Sequence, residues 1–226
     1  MNGSIRERWA GISGLVAAVF FIPFVVLSAM SSEPSDSASR AEWRSYYLDT
    51  GNQDKAQIAV MLLGAVAFFF LPFLAGLRAR LRRAEGGSGW LSAAAFAGGI
   101  GFIAFLLVTA AASAAVVTAA NYFDHYRVNV DIGQTLSAVT YMTITYAGVA
   151  GGVLVGAASL VALKTLTLPK WLAIAGFVVA FAGFVSVMTF GVSVALEAAW
   201  LLVVSAIMAT GRPAPQPVKE PALGAA

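Results

Sequence analysis

The sequence contains no cysteine and a single histidine, His125. Disulfides, thiolate nucleophiles and cysteine-ligated metals are thereby excluded, and so is a metal site built from several histidines. Charge is scarce too, since only 11% of the 226 residues are Asp, Glu, Lys or Arg, against about 25% in an ordinary soluble domain. There is no Glu-Glu pair, no His-Glu-x-x-His, no Walker loop and no dinucleotide fingerprint. The expectation is a protein that is not an enzyme, with no catalytic residues, no metal and no cofactor. One fragment needs a separate test: "GISG" at 11–14 matches the Gly-x-Ser-Gly of rhomboid intramembrane proteases. A serine nucleophile requires a base within hydrogen-bond reach, and the only histidine falls at the other end of the predicted fold, a membrane thickness away from Ser13.

What the chain has in abundance is apolar residues, 59% of the total. Runs of about 18 residues or more recur along its length, each long enough at about 1.5 Å per residue to cross a hydrocarbon layer of roughly 30 Å. They are apolar on all sides rather than striped, as lipid requires of a helix that satisfies its own backbone. The fold class is therefore all-α, a polytopic bundle of six transmembrane helices at about 9–30, 56–77, 90–120, 135–163, 171–190 and 193–210. Loops 31–54 and 121–134 connect them on one side, and the proline-rich 211–226 is expected to be a disordered tail. The first run reaches about 20 residues, beyond the roughly 7–15 of a signal peptide's apolar region, so it is expected to be retained as a helix.

Basic residues set the orientation. With the N-terminus in the cytoplasm, Arg6, Arg8, the "RARLRR" run at 78–83, Lys164, Lys170, Arg212 and Lys219 fall inside. Only Arg40, Arg44, Lys55 and Arg127 fall outside. The net charge of +3 thus reflects topology, and nucleic acid is not an expected partner. A bacterial plasma membrane with both termini cytoplasmic is the expected location. The expected partners are the lipid bilayer and either another membrane protein or further copies of the chain.

Trp9, Trp90 and Trp171 open three of the spans at a constant spacing of 81 residues. Either they are three independent interfacial anchors, or they mark three repeated helical hairpins. In loop 31–54, Ser39 with Glu42 forms a capping-box pattern. It predicts a short helix over 40–49 that carries Trp43, Tyr46 and Tyr47, lies on the membrane surface and ends at Gly51.

Polar groups gather in few places. In the fourth span Tyr141, Thr145, Gly148, Gly152, Gly156 and Ser159 share one helical face, with small residues at Ala97, Gly101 and Ala104 and at Gly176, Ala180 and Gly183 as its complements. Glu197 lies in the last span, six residues past Gly191 and so about 9 Å in from the outer turn. Facing lipid it would cost on the order of 3 kcal/mol, so it should face the bundle. Arg127, Arg44 or Lys55 folding inward, or Tyr141, Thr145, Tyr146 or Ser193, are its candidate partners. With neutral partners only, the uncharged acid is the favoured form. A structural polar clamp, a ligand or proton site, and a shallow solvated position are the three roles open to it. Eight of the eleven acids fall on the outer side, either as a cation-attracting vestibule or because outer loops lack the basic bias. Asp124, His125 and Arg127 sit together in loop 121–134, where the histidine is a surface residue, a ligand or a pH sensor.

The stretch "LPKWLAIAGFVVAFAGF" (168–184) and the last span resemble the closing third of a bacterial family of six-span membrane proteins, a domain of unknown function. Pro169, Lys170, Trp171, Leu172 and Gly176, then Glu197, Trp200 and Leu201, carry the likeness. The resemblance implies a fold and brings no activity. Two functions follow from the residues: a non-enzymatic small-ligand-binding or accessory component with an outward-facing polar cap, or a small transporter or channel for a cation or small solute that uses Glu197.

Overall fold

The computed structural model describes residues 3–30, 33–35, 37–189 and 192–210. The tail 211–226, with Arg212 and Lys219, lies outside the described residues, as do Asp36 and Gly191. Helices α1 (Gly3–Met30), α2 (Arg40–Leu48), α3 (Thr50–Glu85), α4 (Trp90–Tyr122), α5 (Val130–Thr165), α6 (Lys170–Phe184), α7 (Ser186–Thr189) and α8 (Val192–Ala209) account for the fold. No strand occurs among the described residues. Five helices, α1, α3, α4, α5 and α8, are long and apolar enough to cross a membrane.

The continuous helix expected over 171–190 is instead two pieces. α6 has 15 residues, about 22 Å at 1.5 Å per residue, which falls short of a hydrocarbon layer of roughly 30 Å. It stops at Val185, whose N–H is shared between the carbonyls of Phe181 and Gly183. The four-residue α7 then resumes the path. By contrast α3, α4 and α5, at 36, 33 and 36 residues, are about 50–54 Å long and project well past such a layer.

Capping explains why these helices begin earlier than their apolar runs. The Asp49 side chain accepts the N–H of Asn52 at 2.9 Å, so α3 starts at Thr50 and Gly51 lies in its first turn. Gly51 therefore does not end α2. Asp49 closes α2 through its own N–H to Ser45 and opens α3 with its carboxylate. Asn129 does the same for α5, accepting from Asp131 at 3.0 Å. At the other end of α3, Gly86, Gly87 and Gly89 all adopt positive φ, a turn that residues with a Cβ resist. Gly89 offers no side-chain cap to α4, and Glu85 supplies one by accepting the N–H groups of Leu91 and Ser92, each at 2.9 Å.

The long helices close into a ring in the order α1, α3, α4, α5, α6, α8 and back to α1. Small residues set the spacing. Gly11 and Gly14 let α8 approach α1, and Gly76 meets Ala10. Gly98 packs on the backbone of Leu154 in α5, while Gly99 receives Leu74 of α3. Of the expected small residues on α4 only Gly101 approaches α5, at Ala150; Ala97 and Ala104 are exposed, and the closest approaches are at Gly98 and Gly99. Helix α4 is apolar all round, and alanine gives no signal of which side faces protein. On α5, Gly152 and Gly156 meet Ala180 and Gly183 of α6 as the stripe predicts. The Trp200 indole donates to the Leu172 carbonyl at 3.0 Å and ties α8 to α6. Leu63, Phe73, Leu74, Leu106 and Leu154 fill the core.

α2 has its full capping box: the Ser39 N–H donates to Glu42 at 2.7 Å, and the Ser39 hydroxyl accepts from the Glu42 N–H at 3.3 Å. Its aromatic face is turned toward protein. Trp43 and Tyr47 are buried against Ala114, Val116, Val117 and Val130 of the projecting ends of α4 and α5. Ser39→Ala is expected to weaken α2 by about 1 kcal/mol, read as faster amide exchange over 40–48. The Ser39 N–H, then its hydroxyl, hold the exposed Glu42 carboxyl below its ordinary value of 4.5. That contribution is present above pH 4.5 or so and is lost as pH falls through the lowered value.

Candidate functional site

Two places bring functional side chains together. The first is the cap formed by α2 and the connection between α4 and α5. Arg40 and Arg44 stand one turn apart on α2, and with Arg127, Asn129 and Asp131 they line a groove of about 610 Å³. Arg40 pairs with Asp131 at 2.5 Å, both side chains being largely exposed, and such pairs are worth about 0–1 kcal/mol. Arg44 and Arg127 have no ion pair or hydrogen bond among the described residues, and both are exposed. The groove thus carries three guanidinium groups against one carboxylate.

The acids of this end do not converge. Glu42 is held in the capping box, Asp49 caps α3, Glu33 accepts from Ser137 at 3.0 Å, and Asp131 faces Arg40. Among the described residues no group of three or more acids or histidines is placed to hold a metal ion. Asp124 and His125 are exposed and lie outside the groove, so of that trio only Arg127 lines it. Burial first, and then the Glu33 carboxylate, push the phenols of Tyr46 and Tyr47 up to about 12. Both stay neutral wherever the protein is handled.

The second place is Glu197. It is fully buried, as expected of an acid turned toward the bundle. None of its proposed partners reaches it. Tyr141 and Tyr146 are half-exposed, the latter packed on Phe105 with ring centres 5.7 Å apart. Thr145 is buried, but its hydroxyl donates to the Tyr141 carbonyl at 2.9 Å within its own helix. The Ser193 hydroxyl donates to Ser186 at 2.9 Å. Arg44 and Arg127 stay in the surface groove. Both carboxyl oxygens of Glu197 lack a hydrogen-bond partner among the described residues, so the polar clamp proposed for it has no second half.

Glycines make room for the acid instead. A Cβ on Gly151 of α5 would overlap Oε2, and one on Gly183 of α6 would lie 2.6 Å from Oε1. The Phe102 ring closes the pocket from α4, and the Ser186–Ser193 pair abuts Gly148 beside it. Gly151 and Phe102 escaped the sequence reading because the stripe through Gly148 and Gly152 ignores the next residue round the helix. The doubled glycine at 151–152 was the available signal.

At the end where α1 begins and α8 finishes, Arg80 is buried and joins Glu7 at 3.0 Å while donating to the Thr167 carbonyl at 3.1 Å. Arg83 also meets Glu7. Ser13 donates to the Phe69 carbonyl at 2.6 Å, so the "GISG" segment is a packing element between α1, α3 and α8. Comparison of the chain with family models, curated proteins and solved structures gives no match.

Proposed function

We propose that this chain is a six-span protein of a bacterial plasma membrane that binds a small anion in its outward-facing cap and performs no catalysis. The fifth span is α6 continued by α7, and both termini are cytoplasmic. The excess of basic residues at the end where α1 begins and α8 finishes supports this orientation. Trp9, Trp90 and Trp171, each more than 60% exposed at the start of its span, suit anchors at a membrane–water interface and support a common side for those three starts. The likeness of residues 168–201 to a six-span family belongs to the same proposal.

The observation that carries the function is the pair of unpartnered guanidinium groups, Arg44 and Arg127, lining one groove. Guanidinium presents a planar fork of donors that matches carboxylate or phosphate oxygens two at a time. The charge of the groove repels cations, so the cap selects an anion. Titration calorimetry of the detergent-purified protein with inorganic phosphate and with succinate tests this. Saturable binding of one of them is expected, weakened about 10- to 100-fold by Arg44→Gln or Arg127→Gln, the loss of one charge-assisted contact. Absence of binding by the wild type, or equal binding by the double variant, would contradict it.

A further inference from the structure

Stability does not account for Glu197. A carboxyl placed in a packed helix interface with no hydrogen-bond partner among the described residues costs free energy that an apolar side chain would not. The groups around it are Phe102 of α4, Gly148 and Gly151 of α5, Gly183 of α6, Ser186 of α7 and Ser193 of α8, none of them charged. The ionisable side chains of these elements lie elsewhere. Tyr122 and Asp131 sit at the cap ends of α4 and α5, and Lys164 and Lys170 at the opposite ends of α5 and α6. Tyr141 and Tyr146 of α5 are half-exposed. On the flanking α1, Glu7 is engaged by Arg80 and Arg83. An anion at Glu197 has no counter-charge, and the closed packing accommodates only the neutral acid.

We infer that Glu197 is a proton-binding site, and that the α6–α7 segment is the cover that must move for the proton to leave. Gly183 lies directly on the carboxyl, and the helix is interrupted two residues later at Val185. The outer face of this segment, Val178, Phe181, Phe184 and Val187, is exposed. The cover therefore separates from α5 and α8 without breaking a further protein interface. α5 and α8 have no such freedom, being held by α4 and by α1. In the closed form the carboxylic acid is whole. When the cover lifts, water reaches it, the O–H bond breaks, the proton passes to that water and the carboxylate remains hydrated. Proton loss and opening are then one linked equilibrium, independent of whatever the cap binds.

The test uses the full chain and its Glu197→Gln variant reconstituted in lipid vesicles, followed by amide exchange over 183–189 and 192–196 from mildly acid to alkaline pH. Once intrinsic exchange is divided out, wild-type protection should fall about tenfold per pH unit above a midpoint, the signature of one linked proton. It should stay flat in the variant, whose amide cannot ionise. Infrared spectra of the wild type alone supply a second readout: a neutral carboxylic-acid carbonyl band that is lost over the same pH interval as the protection. Flat wild-type protection, equal slopes in both proteins, or a carboxylic-acid band whose loss does not follow the loss of protection would each overturn the inference.

Discussion

Arg80→Met is expected to destabilise the bundle by about 3 kcal/mol, because it leaves Glu7 with only the half-exposed Arg83 for a counter-charge and takes the buried donor from the Thr167 carbonyl. Arg80 is 3% exposed and its side chain joins α1, through Glu7, to the Thr167 carbonyl beyond α5. Three segments of the ring thus meet on one guanidinium. The double variant Glu7→Gln/Arg80→Met removes both charges together and should recover most of the loss. Arg83→Met, whose side chain is 54% exposed, should cost under about 1 kcal/mol. Denaturant unfolding in mild detergent measures all three. An Arg80 variant as stable as the wild type would show that the buried pair holds nothing together.

The second large effect concerns the glycines against Glu197. Gly183→Ala should cost about 3 kcal/mol, the upper part of the range for overpacking a filled interior. Its new methyl meets not only Oε1 but also the Gly148 carbonyl at 2.6 Å and Gly152 Cα at 2.8 Å, and backbone cannot step aside. Gly151→Ala should cost somewhat less, about 2 kcal/mol, since its nearest obstacle is the Glu197 carboxyl itself, with Phe102 Cδ2 at 2.9 Å behind it. Combining each with Glu197→Ala separates the two cases. The Gly151 defect should be largely relieved, because the obstructing atoms are gone, and the Gly183 defect should persist. Thermal unfolding of these four variants and of Glu197→Ala alone closes the two cycles. Relief of both defects alike would mean that the acid is not seated between α5 and α6 as described.

Much of this architecture is written locally, which is why it could be anticipated. Apolar runs define the long helices, Ser39 and Glu42 define the start of α2, and a lone acid in such a run has to turn inward. The misses share a cause in long-range geometry. Arg80 counts toward orientation like any arginine, and nothing near it in sequence announces a partner 73 residues away. The break at Val185 is announced by no proline or polar run in α6, and it lies two residues past Gly183, which packs closely on α5 and on Glu197 of α8. The sign of the cap depends on which side chains share a groove. Counting acids along the loops left a cation-attracting vestibule and a mere lack of basic bias both open; folding engages Glu33, Glu42, Asp49 and Asp131 one by one and leaves Arg44 and Arg127 without a partner among the described residues.

Because the chain has no cysteine, every introduced thiol reports alone, and the arrangement of the bundle in its membrane can be read with single-cysteine variants at Ile5, Gly87, Arg127 and Thr210. Intact cells are treated with a membrane-impermeant maleimide, then permeabilised and treated again. An even number of crossings with the cap outward predicts labelling at position 127 before permeabilisation, and at 5, 87 and 210 only afterwards. Labelling of 210 from outside while 5 stays protected would mean an odd number of crossings and would contradict the account.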